Sequence, residues 1–401
     1  MRRIQYPDDI EALKDDYKRI FAQDYQNMQT RWVPLRNELR QYNGVTEESI
    51  RLYPNDVLDI IVADYDFLVK VFVNYHHLKK LDAFRNELHD ELFELFNYSG
   101  EVTSNIPKFQ PMIADFFMRH QKDLKIDVCY YCELSYINSY GFSDTYKDIG
   151  KFFLRANRHQ IELHVRKTDG KKYATKTYDK ITELQKQADV TKDNIVGRFN
   201  DIFRRWIGNN NKSDDVERRM RNHFDLDHFL PKSECPLVGL SLMNFVPCCS
   251  VCNEKLKGQD ILGGDIVSDW ERVLKKVSPI SQNYNFDSVS KLKLLDNGHG
   301  WLRAQDHPDD FSLVFSSTDN DYQTEIIDEF HLEERYAYHK CEALRWYDLK
   351  HDYPDSKINE MAKALNEYKT ADQLRNDIFQ IDYFENNVRC FDKLRRDILG
   401  I

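Results

Sequence analysis

Between Asn222 and Gly258 the chain reads NHFDLDHFLPKSECPLVGLSLMNFVPCCSVCNEKLKG, and a second short motif, Cys129-Tyr130-Tyr131-Cys132, lies upstream of it. Four thiolates in two Cys-x-x-Cys knuckles suit one tetrahedral zinc ion, which can hold together segments far apart in sequence. Within the long motif, Asp227 offers a hard carboxylate oxygen of the kind Mg²⁺ or Mn²⁺ prefers, and Asn253 a neutral amide oxygen. His228 has a reference pKa near neutrality and is suited to take a proton from water. Together these residue types outline a zinc-stapled, metal-dependent phosphodiester-hydrolysing site.

For the zinc, Cys129, Cys132, Cys249 and Cys252 are the preferred set, although 116 residues separate the two pairs. Cys248 and Cys235 are held in reserve, because Cys248 would give a three-residue spacer that zinc also tolerates. Cys341 and Cys390 are expected to be small buried apolar groups. Phe224 to Phe229 alternates apolar and polar residues, predicting a short strand that ends at His228 and is stopped by Pro231. On an ideal strand Asp227 and His228 point to opposite faces, so both serve one site only if the chain bends or ends there. Asp225 shares the face of Asp227 and is a supporting partner behind the ion's ligands, an auxiliary ligand, or a solvated strand-edge acid. Asn244 lies in the apolar stretch from Leu240 to Val246, which predicts a returning strand with Pro231 to Gly239 as its loop. Cys252 to Lys257 predicts a helix closed by Gly258.

The order Cys-x-x-Cys, Asp-His-x-x-Pro, Asn, Cys-x-x-Cys-Asn-x-x-Lys resembles the HNH endonucleases, and within that ββα-metal superfamily the zinc-stabilised, endonuclease VII-like branch. The resemblance covers Cys129 to Cys132 and Asp225 to Gly258. It implies a structural Zn²⁺ on the four cysteines and a catalytic Mg²⁺ or Mn²⁺ on Asp227 and Asn253. It also implies His228 as general base, and Asn244 as the middle Asn that braces the loop carrying the histidine. Asn253 stands where many members have His. Less closely, the helical N-terminal region and the tail around Phe311 to Phe315, followed by IIDEFHLEERYAYHK, resemble bacterial HNH proteins of anti-phage systems. Some of those are partnered with an ATPase, as in Septu and certain retrons.

These residues must be positioned by a larger chain. With 401 residues, 41% apolar and 13% aromatic, it can bury a sizeable core. The expected class is α+β, predominantly helical, with the ββα-metal core embedded. Residues 1–120 read as an N-terminal helical domain, with apolar residues at helical spacing through Val57, Ile60, Ile61, Tyr65, Leu68, Val71 and Phe72. Residues 121–265 read as the nuclease domain with a basic insert at 133–222. Residues 266–401 read as a mixed, mostly helical domain, with strand-like Phe311 to Phe315 and helices through Tyr336 to Leu349 and Ile358 to Tyr368. His76, His77, His89 and His120 have no second ligand at fixed spacing and are taken as structural or solvated.

The formal net charge of -10 argues against a chain coated for nucleic acid, but Lys147 to Asn222 holds 19 Lys and Arg against 11 Asp and Glu. This excess lies beside the motif and is expected, through Arg204, Arg205, Arg218, Arg219 and Arg221 together with Lys255 and Lys257, to hold a nucleic-acid backbone without reading sequence. Within the insert, strands around Thr168-Asp169-Gly170, a helix from Ile195 to Trp206 and a loop from Gly208 to Ser213 are expected. DNA is favoured over RNA as partner, alongside a regulatory protein such as an ATPase subunit, or a homo-oligomer. No apolar run suits a membrane span or signal peptide, and the cysteine usage suits a reducing cytoplasm. Two other readings use the same residues: a non-catalytic zinc module binding nucleic acid or protein, and an RNA-cleaving toxin.

Overall fold

A computed structural model describes residues 2–100, 106–140, 182–183, 186, 221–258, 262, 269–297, 303–317, 323–365, 368–386 and 389–401. The chain divides into two compact units, Met1–Asn138 with Asn222–Ile401 as one and Ser139–Arg221 as the other. Helices dominate the first unit and its sheets are two-stranded. Among the described residues no helix is long and apolar enough to cross a membrane. The elements expected between Thr168 and Ser213 lie outside the described residues.

Among the described residues seven α-helices precede the first knuckle: α1 (Ile10–Lys18), α2 (Tyr25–Tyr42), α3 (Glu47–Leu52), α4 (Val57–Ile61), α5 (Tyr65–Lys79), α6 (Asn86–Leu95) and α7 (Gln110–Arg119). Short polar caps start several of them, as where the Asp56 carboxylate accepts the Leu58 amide. The apolar run from Val57 to Phe72, which has one continuous period in sequence, is two helices. Asp64 is extended at the break and its carboxylate pairs with the Lys14 ammonium at 2.9 Å. Trp32, Tyr17, Phe21, Phe72 and Phe116 are fully buried between these helices.

That helical bed carries the central motif. β1 (Asp225–His228) pairs antiparallel with β2 (Phe245–Cys248), matching Asp225 with Cys248 and His228 with Phe245. The return strand is shorter than its apolar sequence predicts, because Leu242–Asn244 forms a 3₁₀ turn that lets Asn244 point back into the loop. α8 (Val251–Lys257) follows, with a wide turn in which the Gly258 amide donates to the Asn253 carbonyl five residues back, and Gly258 takes φ +54°. From the bed, the Tyr17 hydroxyl donates to the Leu240 carbonyl at 2.8 Å, and Ser241 donates to the Ile60 carbonyl at 3.0 Å. The His223 amide donates to the Asn138 carbonyl at 2.7 Å, so the chain leaves and re-enters this unit at one point.

The C-terminal part begins with α9 (Trp270–Val277), whose Trp270 packs edge-on against Phe72. β3 (Ser290–Asp296) and β4 (Phe311–Ser317) form a hairpin, followed by α10 (Leu332–Tyr338), α11 (Lys340–Asp352), α12 (Asp355–Ala364) and α13 (Asp392–Leu399). The stretch from Tyr336 to Leu349, continuous in pattern, changes helix at His339, and α12 ends before Tyr368. Cys341 is exposed on α11 and Cys390 is half-buried, so neither is the buried apolar group expected of it. His120 bridges Asp16 and Asp123 at 2.9 Å each, and His89 meets the Tyr75 hydroxyl at 3.0 Å, which leaves both in structural roles.

Candidate active site

Cys129, Cys132, Cys249 and Cys252 bring their four sulfurs within 4.8 Å of one another, all buried. A tetrahedral ion with bonds of about 2.3 Å would ask for sulfurs about 3.8 Å apart, so the cluster could hold a structural metal such as zinc with little adjustment. Backbone amides already point at the sulfurs: Cys249 N donates to Cys129 Sγ at 3.3 Å and Leu134 N to Cys132 Sγ at 3.4 Å. The Arg335 guanidinium on α10 donates to Cys252 Sγ at 3.4 Å and offsets part of the negative charge that four thiolates concentrate. Cys248 turns away, its thiol 3.9 Å from the Asp225 carbonyl, and Cys235 is not in the cluster. The alternatives left open by spacing are thereby decided for Cys249.

His228 ends β1, where the chain turns, so it and Asp227 line the same cleft of about 510 Å³. Its Nε2 lies 2.9 Å from the Gly239 carbonyl, which can only accept, so that nitrogen carries the proton. Nδ1 is left with a free lone pair. Tyr98, arriving from the end of α6, stands edge-on over the ring at 4.5 Å, and Phe245 flanks it at 4.8 Å. Burial, helped by the Lys232 and Lys257 ammonium groups and opposed by the Gly239 hydrogen bond, brings the His228 pKa down to about 3.

The loop behind His228 is held by Asn244, which is fully buried. Its side chain accepts from Leu230 N at 2.8 Å and donates to the carbonyls of Leu230 and Val238 at 2.9 and 3.0 Å. It therefore positions the histidine loop from behind and does not reach the cleft. Gly239, whose carbonyl orients His228, sits so close to its neighbours that a Cβ there would lie 3.0 Å from the Pro236 carbonyl.

Asp227 is buried, and both of its oxygens are engaged. Oδ2 accepts from the Tyr131 hydroxyl and Oδ1 from the Lys257 ammonium at 3.1 Å. Lys257 does not face outward toward a nucleic-acid backbone as its sequence position predicts; it is 1% exposed, and it also donates to the His228 carbonyl at 3.3 Å. Asp225 sits two residues away on the same strand. Burial raises its pKa, and a hydrogen bond from the Asn253 side chain opposes the rise. Its other feature is an oxygen, Oδ2, that is buried without a hydrogen-bond partner. A buried carboxylate oxygen left bare is costly, and a cation is the natural partner for it. Asp225, Asp227 and Asn253 line the one cleft, and their carboxylate and amide oxygens are of the hard type that Mg²⁺ or Mn²⁺ prefers.

Lys255 is exposed on α8, and Lys232, half-buried, lies over the Tyr98 ring at 5.6 Å on the cleft wall. Arg204, Arg205, Arg218 and Arg219 lie outside the described residues; Arg221 is placed only by its backbone, in the two-residue strand Arg221–Asn222. Residue spacing does not reveal Tyr98, Tyr131 and Lys232. Tyr131 alone carried a signal, since it stands inside a knuckle, but nothing local says that its ring reaches Asp227.

The His228 environment predicts a pH effect on stability. Its folded pKa of about 3 lies below the ordinary value of about 6.5, so between those values the unfolded chain binds a proton that the folded chain does not. Stability contributed by the neutral ring is present above about pH 6.5 and falls as pH drops toward 3. Between pH 7 and pH 5 the loss from this residue is about 2 kcal/mol. Urea unfolding at the two pH values, set beside His228→Gln, which keeps a donor for Gly239 without the titration, should show the wild type losing more. Equal losses would remove His228 as the source.

Comparison of the chain with protein-family models, with curated proteins and with solved structures finds no match.

Proposed function

We propose that this chain is a metal-dependent phosphodiesterase of the HNH type, cutting nucleic acid, with DNA as the first substrate to test. One observation carries the reading. His228, with Nε2 tied to Gly239 and Nδ1 free, lines the same cleft as the all-oxygen group Asp225, Asp227 and Asn253, on a hairpin and helix pinned by the four-cysteine cluster.

In this reading Asp227 and Asn253 hold the divalent ion, with Asp225 contributing its bare oxygen. When bound, the ion supplies charge neutralisation at the phosphate and at the departing 3′ oxygen. His228 Nδ1 takes a proton from the attacking water. The low pKa keeps the ring unprotonated at rest, and an anionic phosphodiester arriving beside it favours the imidazolium and moves the pKa back toward neutrality. Lys232, partly buried beside the cleft, is placed to meet the phosphate. None of the eight cysteines is paired in a disulfide, which suits a reducing compartment such as the cytoplasm.

One observation favours the non-catalytic alternative: both Asp227 oxygens are already hydrogen-bonded, one of them by a buried ammonium. The two readings part in one assay. Purified chain is incubated with plasmid DNA and with RNA in Mg²⁺, Mn²⁺ or EDTA, beside His228→Ala. The nuclease reading expects metal-dependent cutting that His228→Ala lowers by about 10²- to 10⁴-fold. Cutting that is no better than that of His228→Ala under every metal, with any candidate partner present, overturns it; cutting of RNA alone moves the assignment to the toxin reading.

A further inference from the structure

Tyr131 occupies the two-residue spacer between Cys129 and Cys132 and is fully buried. Its position is set by the cysteine cluster on either side of it. Cys129 N donates to the Ser135 carbonyl at 2.9 Å and Glu133 N to the Cys129 carbonyl at 3.0 Å, which closes the backbone of the knuckle. The ring stacks on Phe330 with centroids 4.6 Å apart and planes 19° from parallel. From there its hydroxyl crosses to Asp227, which is 96 residues away in sequence, and donates to Oδ2. Burial and the adjacent carboxylate push the phenol pKa well up, so the hydroxyl stays a donor.

The consequence is geometric. A carboxylate has two oxygens and one torsion that orients them; fixing Oδ2 fixes Oδ1 as well. With the hydroxyl in place, Oδ1 faces Lys257 at 3.1 Å, on the cleft side. Without it the carboxylate is held by Lys257 alone, and rotation can carry either oxygen to the ammonium. Hydrogen bonds to a metal-binding carboxylate from outside the ion's own contacts tune affinity by holding the group in its binding orientation.

We propose that Tyr131 is a positioning residue that transmits the state of the four-cysteine cluster to the Asp227 carboxylate, so that an ordered knuckle sets the affinity of the cleft for a divalent ion. This rests on the proposed reading of the cleft as an ion site. The two metal positions are thus coupled: besides loosening the hairpin and helix, loss of the ion from the cysteines weakens the oxygen site through this one hydroxyl.

The test uses Mn²⁺ binding to the full chain, read by electron paramagnetic resonance and titration calorimetry, with zinc content and melting temperature measured on the same samples. Asp227→Asn should abolish Mn²⁺ binding. Tyr131→Phe should keep one zinc per chain and raise the Mn²⁺ dissociation constant by about tenfold or more. Tyr131→4-aminophenylalanine, which retains the ring and a donor, should restore most of the affinity, and does so even if the Phe variant loses stability. A wild type that binds Mn²⁺ through Asp227 while Tyr131→Phe binds equally well overturns the coupling and leaves the ion site standing. Failure of the amino variant to restore an affinity lost in the Phe variant also overturns it. No Mn²⁺ binding in the wild type, or binding indifferent to Asp227→Asn, removes the ion site itself and the coupling with it.

Discussion

Replacing Cys129 and Cys132 with serine should cost the proposed cleavage as much as His228→Ala does, and should do so by dismantling the site. Structural zinc in small domains contributes apparent free energies of about 10–16 kcal/mol, comparable with the whole stability of a typical domain. Zinc held by the four cysteines would concentrate that contribution on the knuckle beside β2 and on the start of α8, where the Tyr130 amide meets the Pro247 carbonyl and Asn253 N meets the Cys249 carbonyl. The serine variant should lose its zinc and its hydrogen-exchange protection from Asp225 to Lys257. His228→Ala should keep both. Chelation of the wild type should reproduce the serine result. Full protection of Asp225 to Lys257 in the zinc-free variant would show that the hairpin stands without the cluster.

The second large effect belongs to Lys257. Its ammonium and the Asp227 carboxylate, 1% and 4% exposed, neutralise one another in the interior. Removing one member of such a pair leaves the other charge bare and costs about 3–5 kcal/mol. Lys257→Met should therefore lower the urea midpoint strongly in EDTA. Adding Mn²⁺ should recover more stability in this variant than in the wild type, because the ion then answers the stranded carboxylate and faces no ammonium. Combined with Asp227→Asn, the two losses should fall well short of additive, since each single variant strands the other's partner. Additive losses would mean that the two groups do not depend on each other.

Local features of the fold were legible. The alternation of Phe224 to Phe229 marks β1, and the spacing of Cys252 to Gly258 marks a helix and its glycine stop. Four cysteines in two knuckles announce the cluster, although the doublet Cys248-Cys249 needed geometry to resolve. What sequence did not show is burial and long reach. A lysine is normally solvated, so nothing in the string Asn253-Glu254-Lys255-Leu256-Lys257 says that one lysine stays outside while the other turns inward onto Asp227. Tyr131 and Tyr98 are aromatic residues in an aromatic-rich chain, and their importance comes from partners far away in sequence, Asp227 and His228. Asn244 lies in a strand-like apolar run, yet its amide hydrogen bonds to Leu230 and Val238 require a turn there, and the turn prevails over the pattern. The break at His339 and the early end of α12 are tertiary outcomes that periodicity does not mark.

The contact between the His223 amide and the Asn138 carbonyl has a consequence for how the chain finds this state. By sequence, joining the two cysteine knuckles closes a circuit of 116 residues. Once the neck at Asn138 and His223 has formed, the circuit that the cysteines close shrinks to roughly thirty residues, and closure becomes easier by about 1 kcal/mol. The contact order of the cysteine cluster is then set by the neck, whatever length of chain hangs from it. Insertions and deletions beyond the neck should leave the assembly of the cluster almost untouched, so this is a position where the chain can lengthen or be regrafted without renegotiating its chemistry.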